Sequence, residues 1–220
     1  TEYAGNITNS WRGLELEKIA VGDDSVKIKA VAAGQFHTIL IDENGGVWTA
    51  GNNQYGQLGR ATNIGSQKAN ADFEQASVNG NVKIVAADAG RDHTVLLDEN
   101  GDVWTAGYNF FGQLGRGDFS TNANSTFEKV TAGISDVKMI AVSAGYAHTA
   151  ILDQNGEVWT TGYNFYGELG RTTNNNVKVN SFEKANLQDA ASAKFISAGN
   201  SNTIVIDADG NARTCGISGK

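Results

Sequence analysis

The chain has 220 residues, 40% of them apolar, and a formal net charge of −7. This length allows a sizeable core in one domain or two small ones, and no apolar run approaches the ~20 residues of a membrane span. The 17 basic residues are dispersed among 24 acidic ones and form no patch for phosphates, so we expect neither nucleic-acid binding nor membrane insertion.

Four copies of one pattern follow one another along the chain. They are AAGQFHTILIDENGGVWTAG from Ala32, DAGRDHTVLLDENGDVWTAG from Asp88, SAGYAHTAILDQNGEVWTTG from Ser143 and SAGNSNTIVIDADGNARTCG from Ser197. Glycines anchor the copies at intervals of 56, 55 and 54 residues: Gly34, Gly90, Gly145 and Gly199. Such a repeat indicates structural units stacked on one another, here in one domain over residues 1–220.

Short segments rich in Val, Ile, Thr and Trp, separated by Gly and Asn, predict strands in each copy. In the second copy these are residues 82–87, 93–98, 102–107 and, after a polar loop, 125–130. The second strands, TILI, TVLL, TAIL and TIVI, are apolar on both faces, which suits a sheet covered on both sides. Four-stranded sheets stacked around an axis meet this requirement, so the sequence predicts an all-β propeller.

Between the second and third strands stand dipeptides that accept a positive φ: Asn44-Gly45, Asn100-Gly101, Asn155-Gly156 and Asp209-Gly210. They predict tight hairpin turns. Calcium loops are a weaker interpretation, because the twelfth residue counted from Asp42 or from Asp98 is an asparagine where an EF-hand needs a carboxylate.

The pattern G-x-x-H-T, an apolar strand, D-x-N-G-x-V-W-T and a G-Q-L-G corner resembles the regulator of chromosome condensation repeat family of propellers. The resemblance extends from about residue 14 to residue 216. It departs in the fourth copy, where Asn202 replaces the His and Arg213 the Trp, and in the third, where Glu168 replaces the Gln. The chain has no proline, which the family carries before its outer strand, and it supplies four blades where family rings have about seven.

The fourth copy lacks an outer strand, while residues 14–19 (LELEKI) match residues 125–130 (STFEKV) and 180–185 (NSFEKA). Residues 1–31 therefore supply an outer strand that completes the last blade, in the same chain or in a neighbour. Three arrangements stay open: a closed four-blade ring, a larger ring or oligomer of several chains, and an arc of a longer protein. The strand count favours the closed ring.

A residue that recurs in every copy more often serves architecture than catalysis, which weighs against an enzyme. We interpret the repeated histidines as packed structural residues, since none has a second metal ligand nearby: His37, His93 and His148. We interpret the repeated tryptophans as core: Trp48, Trp104 and Trp159. Cys215 is expected to be a buried inert thiol. No catalytic, cofactor or metal site is predicted.

Contact residues are expected beside the long Asn- and Thr-rich loops at 61–72, 117–126 and 172–181. Aromatic and arginine side chains there have the composition of interface hot spots: Tyr108, Phe110, Arg116, Tyr163, Phe165 and Arg171. The last aromatic residue of each corner, Tyr55, Phe111 or Tyr166, is instead expected to pack against the neighbouring blade.

We favour a non-enzymatic protein–protein interaction scaffold with an unidentified protein partner, and self-association stays open. A multivalent carbohydrate-binding module is the alternative, because identical blade positions give several equal sites. Guanine-nucleotide exchange on a small GTPase, known for the founding member of the family, is least favoured. The Asn- and Thr-rich, proline-free surface predicts a bacterial extracellular or cell-surface protein, with the cytoplasm as the alternative.

Overall fold

The computed structural model describes residues 18–80, 82–134, 136–173, 177–188 and 192–217. These residues form fifteen strands and no α-helix: β1 Ile28–Ala33, β2 His37–Asp42, β3 Val47–Gly51, β4 Asn70–Ala76, β5 Ile84–Ala89, β6 His93–Asp98, β7 Val103–Asn109, β8 Ser120–Lys129, β9 Met139–Ala144, β10 His148–Asp153, β11 Val158–Tyr163, β12 Lys178–Lys184, β13 Ala193–Ala198, β14 Asn202–Asp207 and β15 Ala212–Gly216. The described ranges contain no helix long and apolar enough to cross a membrane.

The strands form four antiparallel sheets, which we number as blades 1 to 4 in chain order. Blades 1, 2 and 3 contain β1 to β4, β5 to β8 and β9 to β12, and blade 4 contains β13 to β15 in the described part of the chain. The predicted all-β propeller architecture is therefore confirmed. Of the additional outer strand predicted at 14–19, residues 14–17 lie outside the described residues.

The outer strand of blade 2 begins earlier than the sequence predicts. β8 starts at Ser120 rather than at residue 125, and it pairs with β7 across two register shifts. Between these shifts Asn124 faces Gly107, and its Nδ2 donates a hydrogen bond of 2.9 Å to the Gly107 carbonyl oxygen. Because a polar side chain supplies a bond where the ladder is irregular, residues with the composition of a loop extend the strand.

The four blades form an open arc. The inner strands β1, β5, β9 and β13 contact one another in that order, but the ring is not closed between blade 4 and blade 1. The closed four-blade ring that the strand count favours is therefore not formed within this chain. An arc of a larger ring or oligomer agrees with the structure. Counting strands predicts whole blades, but the turn between blades depends on the side chains packed between them.

The core lies between the blades, in three clusters of buried apolar side chains. We call the side of a blade that meets the next blade its front face and the opposite side its rear face. Between blades 1 and 2, Ile39 and Ile41 on the front face pack against Ile84, Leu96 and Phe127 on the rear face. The strands β6 and β10 are buried at every position, as their apolar runs predict. Each interior blade is thus stabilised from both sides.

An aspartate side chain holds the turn between the second and third strands. In blade 2, Asp98 Oδ1 accepts hydrogen bonds from the backbone N–H groups of Asn100 and Asp102, at 2.8 and 3.0 Å. Its Oδ2 accepts from Nε1 of Trp104 at 2.9 Å. The same bonds recur in blades 1 and 3, from Trp48 to Asp42 and from Trp159 to Asp153. The carboxylates are therefore engaged with protein donors.

The predicted hairpins between the second and third strands are formed, and each has a three-residue turn. Only the glycine of each dipeptide has a positive φ, which is 82° at Gly101. The Asp98 N–H donates to the Asp102 carbonyl oxygen at 3.0 Å, and residues 99–101 form the loop between them. This is a three-residue hairpin ending in a left-handed glycine, and the Asp98 carboxylate, rather than a left-handed asparagine, fixes its shape.

The departure from the family pattern at Arg213 preserves this turn. Arg213 Nε donates to Asp207 Oδ2 at 2.9 Å, in the place of the indole Nε1 of the other blades. Asp207 Oδ1 accepts from the backbone N–H groups of Asp209 and Asn211, and the bond from Asn211 contributes most to lowering the pKa of Asp207. Arginine and tryptophan each provide one suitably placed N–H donor, so the substitution keeps the bond.

The repeated histidines join consecutive blades. His37 Nε2 lies 2.8 Å from Thr94 Oγ1 in the next blade, and Thr94 Oγ1 lies 2.6 Å from the Gln57 carbonyl oxygen. Since the threonine hydrogen is donated to that carbonyl, His37 donates from Nε2. The same chain of bonds recurs twice, from His93 to Thr149 and from His148 to Thr203. The three imidazoles are interblade joints.

The anchor glycines are required by close approach at these joints. A β-carbon added to Gly90 would lie 2.4 Å from the Gly145 carbonyl oxygen and 2.4 Å from His93 Cε1. Gly145 is crowded in the same way by His148 and by the Gly199 carbonyl oxygen. Only glycine lets the inner strands approach while the imidazole lies beneath them.

The buried imidazoles predict acid sensitivity. Burial lowers the pKa of His37 and His148 to about 4 and that of His93 to about 3. The unfolded chain, with an ordinary pKa near ~6.5, binds more protons as the pH falls, so the stability present above that pH is lost on acidification. His93→Gln keeps an N–H donor but does not titrate. Between pH 7.5 and pH 5, the wild-type free energy of unfolding should fall by about 2 kcal/mol more than that of the variant. Urea titrations followed by tryptophan fluorescence measure both, and parallel pH profiles would contradict this role.

A second prediction concerns two glycines with nearly the same backbone conformation, Gly59 (φ 66°) and Gly170 (φ 64°). A β-carbon at Gly59 would lie 2.0 Å from the buried Phe127 ring, whereas at Gly170 its nearest neighbour, Cys215 Sγ, lies at 3.1 Å. Alanine at either position bears a similar left-handed strain of about 1 kcal/mol, but only Gly59→Ala must displace a core ring. We expect Gly59→Ala to destabilise the protein by about 2 kcal/mol more than Gly170→Ala in thermal or urea unfolding. Equal losses would show that the ring does not fix the corner.

Candidate protein-binding face

Each third strand of blades 1 to 3 leads into a corner, which comprises residues 52–60, 108–116 or 163–171. In blade 2, Asn109 Oδ1 accepts from the backbone N–H of Leu114 and Gln113 Oε1 accepts from that of Phe111, both at 3.1 Å. Leu114 has no exposed surface. Equivalent bonds are made in blades 1 and 3 by Asn53, Gln57, Asn164 and Glu168. Buried side chains therefore hold the three corners in one conformation.

Arg116 and Arg171, two of the candidate contact residues, lie inside these corners. Arg116 pairs with Glu128 at 3.1 Å and Arg171 with Glu183 at 3.3 Å, and both guanidinium groups also contact a threonine of the preceding strand. Their side chains are only 10% and 7% exposed. The arginines therefore support the corner, and the surface available to a partner consists of its aromatic residues.

Seven aromatic rings from the three corners form one continuous set, hereafter the aromatic row: Tyr55, Tyr108, Phe110, Phe111, Tyr163, Phe165 and Tyr166. Two contacts cross between blades. The rings of Tyr55 and Tyr108 have centroids 4.5 Å apart, and those of Phe111 and Tyr163 are 4.8 Å apart. The last aromatic residue of a corner thus packs on the next blade in these two cases, as the sequence predicts. Burial raises the pKa of Tyr108 and of Tyr163, so both are neutral near pH 7.

The outer part of the aromatic row is open to solvent. Phe110, Phe165 and Tyr166 are 38%, 60% and 47% exposed. Phe110 stacks on Tyr108, and Phe165 stacks on Tyr163, with centroids 6.2 Å apart in each pair. The exposed rings therefore rest on partly buried ones and need little ordering to bind a flat apolar surface.

Cations border the aromatic row, and sequence reasoning missed them. Lys178 Nζ lies 4.3 Å from the centroid of Phe110 and 4.7 Å from that of Phe119. Arg91 lies over the ring of Tyr146, with 4.8 Å between its Cζ and the ring centroid. Lys178 is brought close because β12 pairs it with Tyr163, a register set by two strands far apart in sequence. No local motif indicates these contacts.

Cys215 is placed for packing rather than chemistry. Its Sγ donates to the Glu168 carbonyl oxygen at 3.2 Å, and burial raises the pKa of the thiol. A protonated thiol is a weak nucleophile. Its Sγ also lies 3.8 Å from the carbonyl oxygen of Thr203, so both of these partners are backbone acceptors.

Comparison with known proteins finds the regulator of chromosome condensation (RCC1) repeat, with one family model matching residues 28–57, 84–113 and 139–168 and another matching 44–97 and 100–152. The ultraviolet-B receptor UVR8 of Arabidopsis thaliana is 31% identical over 145 residues, which are 66% of this chain and 31% of the receptor. The RCC2 homolog of Danio rerio is 32% identical over 150 residues, 67% of this chain and 29% of the relative. The chain thus spans less than a third of these relatives.

Among solved structures, yeast RCC1 (Prp20) bound to Kap60 superimposes with a TM-score of 0.78 at 24% identity. The match covers 91% of this chain and 46% of the yeast protein. This similarity supports the propeller fold. The matched region is less than half of the yeast chain.

The corner of blade 3 generates a stability prediction. Glu168 is fully buried where the other corners have glutamine, and burial raises its pKa. The folded form then binds the proton more tightly than the unfolded chain. Wild-type stability therefore falls as the pH rises from the ordinary glutamate pKa of ~4.3 through the raised pKa of Glu168. Glu168→Gln should raise the free energy of unfolding near pH 7 by about 1 kcal/mol, and the gain should vanish below the ordinary pKa of ~4.3.

The matched control is Gln113→Glu, which places a carboxylate in the equivalent corner of blade 2. It should lose stability with the same pH dependence in urea unfolding. A gain from Glu168→Gln that does not vary with pH would contradict the assignment.

Proposed function

The chain belongs to the regulator of chromosome condensation (RCC1) repeat family, and from this premise we propose that it is a non-enzymatic scaffold that binds a protein partner through the aromatic row. The observation that carries the proposal is the row itself. Three blades contribute rings to one row, blades 2 and 3 expose Phe110, Phe165 and Tyr166 to solvent, and buried polar bonds fix the corners beneath them. Aromatic anchors on a rigid support are typical of interface hot spots.

The charges beside the row indicate the chemistry of the partner. Lys178 lies over the ring of Phe110 at the border of the row, and Arg91, which also pairs with Asp92 at 3.0 Å, lies over the ring of Tyr146 with its side chain 40% exposed. A partner segment with apolar or aromatic side chains and flanking carboxylates fits this arrangement, because the rings bury apolar area and the cations attract acidic groups. The matched yeast RCC1 (Prp20) was solved bound to Kap60, so a protein with this fold has a protein partner.

The repeated polar groups support a non-enzymatic role. His37, His93 and His148 join blades, and the turn aspartates bind backbone and indole N–H groups. These side chains already have structural partners, so they are poorly suited to supply a reactive group. Carbohydrate binding gains no support from the matched proteins. An extracellular or cell-surface location in a bacterium remains our expectation from composition.

Replacing Phe110 and Phe165 together with alanine should weaken partner capture at least tenfold with little change in melting temperature, because both rings are exposed. Val85→Ala is the control, since Val85 is 45% exposed on an inner strand outside the row. Affinity capture from the source organism, quantified by mass spectrometry, measures the change.

Capture that is the same for the double variant and the wild type would contradict the proposed face. Nucleotide release from a panel of small GTPases and binding to a glycan array test the two other functions. Acceleration of release, or specific glycan binding that survives the double substitution, would replace the proposal.

A further inference from the structure

The chain contains four Asn-Gly steps, and the structure places them in two different environments. Three of them, at 44–45, 100–101 and 155–156, form the turns between the second and third strands of blades 1 to 3. The fourth, Asn79-Gly80, lies in the linker between β4 and β5, outside the repeated pattern. All four asparagines are exposed, but the three hairpin glycines are buried whereas Gly80 is exposed.

An asparagine followed by glycine can react with its own backbone, because glycine has no side chain to hinder the attack. The backbone nitrogen of the glycine loses its proton and attacks Cγ of the asparagine. A new C–N bond forms, and the side-chain amide leaves as ammonia. Water then opens the succinimide ring at either carbonyl, which gives aspartate or the β-linked isoaspartate. The reaction needs only water, together with a glycine N–H that is free to turn towards Cγ.

The hairpin glycines do not have this freedom. In blade 2, the Gly101 N–H donates to the Asp98 carbonyl oxygen at 3.1 Å, and the Gly101 carbonyl oxygen accepts from the Met139 N–H at 3.0 Å. The neighbouring N–H groups of Asn100 and Asp102 donate to the Asp98 carboxylate. The peptide unit is thus held by its own blade and by the next one, and it can turn only if several bonds open together.

The same bonds hold the two other hairpin steps. The glycine N–H donates to the carbonyl oxygen of Asp42 or of Asp153, at 3.0 Å in both turns. The glycine carbonyl oxygen accepts from the first N–H group of the next blade, that of Ile84 at 3.1 Å or that of Ala193 at 2.7 Å. Space is restricted as well. A β-carbon added to any of the three glycines would lie 3.0 Å or less from an atom of the next blade or of the residue before it.

Gly80 has none of these constraints. Among the residues that the structure describes, none accepts a hydrogen bond from its N–H or donates one to its carbonyl oxygen. A β-carbon built on Gly80 would meet only Val82 Cγ1, at 3.8 Å. Its φ of 88° is close to the 84° of Gly45 and the 82° of Gly101, so the glycine conformation is the same and the surroundings differ.

We propose that Asn79 is the site at which the folded protein converts asparagine to aspartate or isoaspartate, and that the hairpin turns protect the three other Asn-Gly steps. The product gains a negative charge, and the isoaspartate form also gains a methylene group in the main chain of the linker. This linker is attached to the core just before the site, since Val78 bridges Phe127 and packs against the cluster between blades 1 and 2. The isoaspartate form should therefore loosen that attachment.

Peptide mapping by mass spectrometry tests the proposal on protein kept in a mildly alkaline buffer, which favours loss of the amide proton. In the folded chain, Asn79 should convert at least about tenfold faster than any hairpin asparagine, because attack there must wait for a costly opening. In guanidinium chloride the four rates should become comparable, since all four are Asn-Gly steps. Asn79→Gln is the matched control, and it should remove the linker product while leaving the slow hairpin rates unchanged.

Three results would overturn the proposal: no conversion of Asn79 in the folded chain, faster conversion of a hairpin asparagine, or a lead of Asn79 that persists in the unfolded chain. The last result would assign the difference to local sequence rather than to the fold. Labelling with an isoaspartyl methyltransferase measures the β-linked product, whose melting temperature should lie below that of Asn79→Asp. Equal melting temperatures would contradict the loosening of the linker. None of these measurements depends on partner binding by the aromatic row.

Discussion

The fold of this protein depends mainly on the contact between the front face of one blade and the rear face of the next. It combines an apolar cluster, a glycine placed so close to the next inner strand that a β-carbon would collide with a carbonyl oxygen, and an imidazole that donates across the interface to a threonine. A single four-stranded sheet cannot bury two apolar faces by itself. The repeat is therefore stable only through its neighbours, and its sequence pattern is largely a description of this interface.

The same interface fixes the relative positions of the rings in the candidate binding surface. Tyr108 touches Tyr55, and Phe111 touches Tyr163, only because successive blades stand at a fixed distance and angle. In each corner the bonds from an asparagine and from a glutamine, or from Glu168 in blade 3, hold these rings without any proline in the loops. In the function we propose, a partner would meet rings from several blades as one preformed surface, which lowers the entropy lost on binding.

In the part of the chain that the structure describes, no blade packs on the rear face of blade 1 or on the front face of blade 4. At one end the exposed apolar residues are Ile204 and Phe195, and at the other they are Ile28 and Val31. Their equivalents in the interior blades pack against a neighbouring blade. In blade 4, Asn202 replaces the interblade histidine while Arg213 preserves the aspartate turn. The blade therefore keeps its internal bonds and changes those that face outward.

Much of the fold follows from the sequence, because the determinants recur at a constant interval and are local: apolar strands, aspartate turns and glycine anchors. The order of the strands could be predicted in this way, and so could the packing of Tyr55 and Phe111 on the next blade, whereas Tyr166 is exposed against expectation. The opening between blades 1 and 4 could not, since the turn per blade depends on side-chain volume summed over each interface. Likewise, the burial of Arg116 and Arg171 and the approach of Lys178 to Phe110 required the tertiary structure. Residues far apart in sequence meet there through strand register, which no local pattern records.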